Sequence, residues 1–161
     1  MAFIYENLLT VAEELLQVER VGTAARRRVI ATAYYAAFRR IAVLCATWIG
    51  PSPYEDRDSY DTVLRSIDHK RVRMVLSSPA ARGILGDSIG KLFEELQSAR
   101  EWADYSSKSH VNAEKANRKE NMSREEASKF IEDARAIITA IDALNEADCQ
   151  KLSVLIAFAK R

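Results

Sequence analysis

Apolar residues recur at intervals of three and four along most of this chain. That spacing places them on one face of an α-helix, and no segment shows the strict alternation that is typical of a half-buried strand. Polar or proline-containing segments interrupt the pattern at residues 51–58, 79–88 and 106–122. The pattern therefore predicts an all-α fold, an antiparallel bundle of about five helices with one long connection.

Several helix boundaries are marked by residues with known conformational preferences. Gly50 and Pro51 form a strong stop for the second helix, and a break near Asp68 would divide the third segment. Ser123 and Glu126 form the capping-box pattern that begins the last helical stretch. Residues 79–88 are predicted to be a connector, and residues 106–122 an exposed loop.

The last apolar stretch is unusually long. Its helical phase continues from Ala127 to Ala159, and only Asn145 and Asp148 interrupt the apolar face. Either one helix spans residues 124–160, or the helix kinks near Asn145 and the chain folds back. The apolar pattern is compatible with both the continuous helix and the kinked one, and we expect the long C-terminal helix. The chain is then one domain, with a core over residues 3–145 and a helical extension over residues 146–161.

Composition and charge describe an ordered protein without an obvious nucleic-acid bias. Of 161 residues, 29% are charged, and Lys+Arg number 24 against Asp+Glu 23, although arginine outnumbers lysine sixteen to eight. Cys45 and Cys149 lie in apolar helical patterns, which predicts free, packed thiols in an intracellular protein. No signal-peptide pattern occurs, and no apolar run reaches the length of a membrane span. We therefore expect a cytoplasmic protein without a membrane partner.

Arg100 stands out because it falls on the apolar face of the helix that carries Ile89, Leu96 and Ala103. A guanidinium there must either reach water or find a buried acceptor, since an unpaired buried charge is costly. The structural interpretation is a pair with Asp104, one turn later, or with a residue of another helix. On the helical wheel, Tyr105 points away from Arg100.

Two other helices carry basic and aromatic residues on faces away from the core: Arg28, Tyr35 and Arg39 on the second, and Arg65, His69 and Arg73 on the third. If these faces converge with Arg100, they form a phosphate-binding surface, because arginine is suited to bidentate contacts with phosphate oxygens. The alternative for each stripe is an ordinary solvated helix face.

Three segments together resemble the HEPN superfamily, which is named for higher eukaryotes and prokaryotes nucleotide-binding. They are "RRVIATAYYAAFRRIAVL", matched at Arg27 or Arg28, Ala33, Tyr34, Tyr35, Ala36 and Phe38, "AREWADY", matched at Arg100, Ala103, Asp104 and Tyr105, and "DHKRV", in which a histidine opens the middle helix. The resemblance covers residues 20–145. It implies an antiparallel helical bundle, commonly a homodimer, with the arginine motif near a cleft between protomers.

The resemblance also implies a class of activity. Many HEPN proteins are metal-independent endoribonucleases of toxin–antitoxin and defence systems, in which an arginine precedes a histidine by a few residues. The imidazole would act as general acid or base on the ribose 2′-hydroxyl, while the guanidinium stabilises charge on the phosphate. Here Tyr105 takes the place of that histidine, and a phenol, with an ordinary pKa of about 10, is a poor base at neutral pH. His69 lies on another helix, and His110 in the predicted loop.

Three functions follow as alternatives. The first is an RNA- or nucleotide-handling HEPN protein with Arg100, Asp104, Tyr105 and His69 as catalytic candidates, acting as a homodimer and controlled by a cognate antitoxin. The second is a noncatalytic HEPN module that binds RNA or nucleotide, or pairs with a protein such as a nucleotidyltransferase. The third is an interaction domain whose C-terminal segment docks a partner helix. No zinc-ligand set and no glycine-rich phosphate loop occurs, so neither a metal nor another cofactor is expected.

Overall fold

The computed structural model describes residues 4–18, 22–105 and 122–159. Within these ranges the chain forms eight α-helices and no β-strand. They are α1 (Ile4–Gln17), α2 (Gly22–Ile49), α3 (Arg57–Ser66), α4 (His69–Leu76), α5 (Pro79–Leu85), α6 (Asp87–Tyr105), α7 (Arg124–Asp142) and α8 (Glu146–Phe158). The predicted all-α class is confirmed, but the predicted number of helices was too low.

Side-chain caps account for two of the additional helices. The Asp68 carboxylate accepts a hydrogen bond from the Arg71 backbone N–H at 2.8 Å, so the third segment breaks into α3 and α4 at the predicted position. The Ser78 hydroxyl accepts one from the Ala81 N–H at 3.3 Å and begins α5. Pro79 suits the first turn that follows, because its fixed φ is already helical. The prediction of a connector throughout residues 79–88 was wrong.

The predicted long C-terminal helix is also wrong. α7 ends at Asp142 and α8 begins at Glu146. Between them, the Asn145 side chain accepts a hydrogen bond from the Asp148 N–H at 3.0 Å, which makes Asn145 the N-cap of α8. The two residues that interrupted the apolar face are therefore the capping pair, and the alternative of a break near Asn145 is confirmed.

The capping box at the start of α7 is present as predicted. The Ser123 N–H donates to the Glu126 carboxylate at 2.8 Å, and the Glu126 N–H donates to the Ser123 hydroxyl at 3.1 Å. These reciprocal bonds satisfy two backbone donors that a helix N-terminus otherwise leaves unpaired. The predicted loop before this box lies outside the described residues, except for Met122 at its end.

The chain divides into two compact units, and the boundaries fall inside α2, α6 and α7. The first unit comprises Met1–Ala37 and Glu94–Arg135, and the second comprises Phe38–Phe93 and Ala136–Arg161. The organisation as a single domain stays a prediction. Residues 146–158, predicted as an extension, contribute Leu152 and Ile156 to the buried interior of the second unit, where both are fully inaccessible to solvent.

In the first unit, α1, α2, α6 and α7 contribute the buried side chains. The largest of those that are fully buried are Val29, Ile30, Tyr34 and Leu96. Polar contacts add to this packing: Arg135 of α7 pairs with Glu13 of α1, and the Arg26 guanidinium of α2 donates to the carbonyl of Met122, just before α7, at 2.9 Å.

In the second unit, α4, α5 and α8 pack against one another. Arg71 contributes to this arrangement, because its guanidinium donates to the Ala157 carbonyl at 3.0 Å in the last turn of α8. Arg40 forms an ion pair with Asp142 at 2.7 Å, between α2 and the end of α7. Cys45 and Cys149 are free and buried, as predicted, and burial raises the pKa of the Cys45 thiol to about 12.

Contrary to the sequence-based expectation, one helix has the length and composition of a membrane span. It is α2, and 72% of its most apolar window is buried inside the protein. Central helices of folded domains meet the same criterion, so length and composition alone are weak grounds for a membrane span.

Gly90 allows α6 to approach the end of α4 within the second unit. A Cβ atom at residue 90 would lie 2.4 Å from the Leu76 carbonyl oxygen and 2.9 Å from its carbonyl carbon. Such distances are far inside van der Waals contact, so only glycine fits this helix interior without displacing backbone. At Gly83, in contrast, an added Cβ would meet nothing within 4 Å.

We therefore expect Gly90→Ala to destabilise the protein, although alanine is normally better than glycine in a helix by about 1 kcal/mol. The overpacking should lower the free energy of unfolding by about 1–3 kcal/mol. Gly83→Ala, the matched control in α5, should raise it by about 0.5–1 kcal/mol. Urea unfolding followed by circular dichroism measures both, and a stabilised Gly90→Ala variant would contradict the close approach.

Candidate functional site

Arg100 lies in the C-terminal part of α6, and its helical neighbours are buried. Leu96 and Ala99 are fully inaccessible, and Ala103 is 8% exposed. The Arg100 side chain itself is only 14% exposed. Its predicted position on the apolar face is therefore confirmed.

Two groups from different helices hold the guanidinium. Oδ2 of Asp104, one turn later on α6, lies 2.8 Å from Nε of Arg100. This contact is an ion pair, and Nε has no hydrogen-bond partner within the described chain. Nη2 donates to the Tyr35 hydroxyl of α2 at 2.5 Å. The sequence-based expectation of a paired arginine is met both locally and across helices.

Three tyrosine rings lie around the same guanidinium. The Cζ atom of Arg100 is 5.8 Å from the ring centroid of Tyr34, 5.2 Å from that of Tyr35 and 5.3 Å from that of Tyr105. The faces of aromatic rings attract cations at such distances. We call Arg100, Asp104, Tyr34, Tyr35 and Tyr105 the Arg100 cluster; all five belong to the first unit.

The cluster keeps Arg100 charged. Burial lowers the pKa of the Arg100 guanidinium, but the hydrogen bond with Tyr35 and the electrostatic influence of Tyr35, Asp104 and Tyr105 raise it. The net result is a pKa above the ordinary value for arginine. A cation is thus maintained in a place that is largely withdrawn from water.

The helical-wheel prediction that Tyr105 points away from Arg100 is wrong. The Tyr105 hydroxyl oxygen lies 3.5 Å from Nη2 of Arg100. Side chains on a helix lean towards its N-terminus, so a long phenol at the last residue of α6 can reach back over the preceding turn. Tyr105 is 75% exposed and is the member of the cluster most open to solvent.

One edge of the guanidinium remains open. An arginine side chain has five N–H donors, two of which are on Nη1. The contacts with Asp104, Tyr35 and Tyr105 all involve Nε or Nη2. Nε is buried beside Asp104, and none of these contacts uses Nη1, so the N–H groups of Nη1 are the donors that the described contacts leave for an anion.

A second contact between an arginine and an aromatic ring in the first unit was missed by the sequence analysis. The guanidinium carbon of Arg27 lies 4.6 Å from the ring centroid of Trp102, which is 8% exposed. Tyr34 was matched only to the motif of the second helix, although its ring also faces Arg100. The adjacent tyrosines of α2 could have indicated that both contact Arg100. Consecutive helix residues lie about 100° apart, so two neighbouring side chains can contact one group from two sides.

The other predicted site residues lie elsewhere in the chain. In the first unit Arg28 is exposed, and no contact between it and Arg100 is present among the described residues. His69, Arg39, Arg65 and Arg73 belong to the second unit, where the ring of His69 stacks on Phe38 with centroids 3.9 Å apart. The prediction that Arg65 and His69 share a face of one helix is wrong, because α3 ends at Ser66 and α4 begins at His69.

Two further predictions concern histidine and metal chemistry. His110 lies outside the described residues. Across the described part of the chain, no group of three or more His, Cys, Asp and Glu side chains is arranged to hold a metal ion.

The chain matches no protein-family model, no curated protein and no solved structure at a significant level of similarity. The resemblance to the HEPN superfamily therefore depends on the motif residues alone. Any function has to be argued from the contacts of the Arg100 cluster.

The two tyrosine hydroxyls near Arg100 should contribute unequally to stability. Tyr35→Phe removes the acceptor at 2.5 Å and should lower the free energy of unfolding by about 1 kcal/mol, since Nη2 then loses its main partner. Tyr105→Phe removes only the contact at 3.5 Å, on an exposed side chain, and should change stability by less than about 0.5 kcal/mol. Chemical denaturation of both variants tests this order, and equal effects would contradict it.

Proposed function

We propose that this protein handles RNA or nucleotides by binding a phosphate group at the Arg100 cluster. The observation that carries the proposal is the open Nη1 edge of a guanidinium that Asp104 and Tyr35 hold through its other nitrogens. Arginine binds phosphate strongly through paired N–H donors, and a fixed guanidinium loses less conformational entropy on binding. The raised pKa of Arg100 supports the proposal, because the side chain is charged at any physiological pH.

The exposed ring of Tyr105 supports a nucleic-acid ligand over a simple anion. Its centroid lies 5.3 Å from the Arg100 guanidinium carbon, and most of its surface faces solvent. Unpaired bases stack on such rings while a neighbouring arginine contacts the backbone. Tyr105 and Arg100 can thus bind adjacent parts of one nucleotide.

The proposal extends to a HEPN-like antiparallel bundle that acts as a cytoplasmic homodimer. The all-α fold supports it, as does the contact of Arg100 with Asp104 and Tyr35, which come from two segments that carry the resemblance. A cognate antitoxin or a nucleotidyltransferase would be the protein partner of such a module.

Metal-independent RNA cleavage is the catalytic form of this proposal, and binding without cleavage is the noncatalytic form. Arg100 is suited to stabilise charge that develops on a phosphate during attack by the 2′-hydroxyl. A proton acceptor is harder to assign, because no histidine occurs among the described residues of the first unit. The geometry therefore favours binding, with cleavage as the second candidate.

The decisive variant is Arg100→Lys, which keeps the positive charge and removes the planar fork of donors. We expect it to weaken binding of a labelled single-stranded RNA by about tenfold, with wild-type affinity falling as salt is raised. Fluorescence anisotropy in the presence of a chelator measures the affinity, and gel analysis of the same samples detects cleavage. The control is Arg82→Lys, the same change at an exposed arginine of the second unit.

The outcomes separate the two forms. Cleavage by the wild type that is lost in Arg100→Lys favours a ribonuclease, and binding without cleavage favours a noncatalytic module. Absence of binding by the folded wild-type protein at low salt would contradict both.

A further inference from the structure

The Arg100 cluster carries almost no net charge. Asp104 lies 2.8 Å from Arg100, and its side chain is 24% exposed, so the carboxylate is close and only partly screened by water. Within the Arg100 cluster, a phosphate would therefore meet one positive charge and one negative charge.

We infer that Asp104 is a specificity-determining residue, which makes the Arg100 cluster prefer the singly charged phosphodiester of a polynucleotide to the doubly charged phosphate monoester of a free nucleotide. This inference rests on the proposed phosphate binding at Arg100. It also distinguishes between the two ligand classes, RNA and nucleotide, that the motif alone leaves open.

The preference follows from Coulomb's law and desolvation. The first negative charge of a phosphate is stabilised by hydrogen bonds from the N–H groups of Nη1 of Arg100. A second charge is attracted by Arg100 but repelled by Asp104 across the guanidinium, so the pair stabilises it less than Arg100 alone would. That second charge still has to be desolvated, and desolvation of an extra charge is unfavourable. A monoester thus loses more hydration than a diester without a matching gain.

The positions of Asp104 and Tyr35 around the guanidinium also favour a diester over a monoester. Asp104 lies beside Nε and Tyr35 beside Nη2, so a phosphate approaches the guanidinium by the Nη1 edge. Only a small number of donors is then available, which suits the two free oxygens of a diester better than the three of a monoester.

Two ligands that differ by one methyl group test the inference: adenosine 5′-phosphate and its methyl ester. At about pH 8 the first carries two negative charges and the second carries one, because the second phosphate pKa is about 6. Titrations followed by NMR give both dissociation constants for wild type and for Asp104→Asn. We expect the wild type to favour the methyl ester, and Asp104→Asn to move the ratio of the two constants towards the monoester by about threefold to tenfold.

Glu94→Gln is the matched control. It removes one carboxylate from an exposed position of the same helix, and six residues of helix place Glu94 about 9 Å from Arg100 along the axis and about 120° around it. That separation is about one screening length at physiological salt, so the ratio should change much less than in Asp104→Asn. Asp104→Glu retains the charge and should retain the wild-type preference.

An equal change in affinity for both ligands in Asp104→Asn, or a lost preference in Asp104→Glu, would overturn the inference and leave the proposed phosphate binding intact. Failure of the folded wild type to bind the methyl ester, the monoester and single-stranded RNA would instead remove the proposed function itself. Circular dichroism of each variant confirms that the comparison is made between folded proteins.

Discussion

A guanidinium that is largely withdrawn from water is the constraint on which the arrangement of the first unit depends. Only 14% of the Arg100 side chain is exposed, and a charge in that position is tolerated only if acceptors surround it. Asp104 supplies an opposite charge from the next turn of α6, and Tyr35 supplies a hydrogen-bond acceptor from α2. Because both contacts are short, they fix the orientation of the guanidinium as well as its charge.

The same contacts connect stability with the proposed function. Asp104 and Tyr35 occupy Nε and Nη2, so the side chain is held in one position before any ligand arrives. The acceptor that stabilises Arg100 in the folded protein also lowers the net charge of the site. In the proposed function, the carboxylate that makes burial of Arg100 possible also decides which phosphates the site binds.

The sequence predicted the local structural features but not those that depend on tertiary contacts. The capping box of Ser123 and Glu126 and the pairing of Arg100 with Asp104 follow from spacings of three and four residues, so they were predictable. Tyr35 approaches Arg100 from a helix 65 residues away in sequence, which no local pattern encodes. Tyr105 was misplaced because a helical wheel locates the Cβ atom, whereas a long side chain can lean back by a turn. The break at Asn145 was only one of two alternatives, because the apolar residues before and after it share one helical phase. That continuous phase is also compatible with a single long helix, so it did not indicate the N-cap at Asn145.

The most direct test of the account is the NMR signal of the Arg100 guanidinium, assigned by its absence in Arg100→Lys. Contacts at Nε and Nη2 should slow rotation about the Nε–Cζ and Cζ–Nη bonds, so that separate Nη1 and Nη2 resonances appear. Addition of dimethyl phosphate, a singly charged diester, should then shift the Nη1 resonance more than the Nη2 resonance. A freely rotating guanidinium, or one whose signals do not respond to the diester, would contradict the claim that Arg100 is a fixed phosphate-binding group.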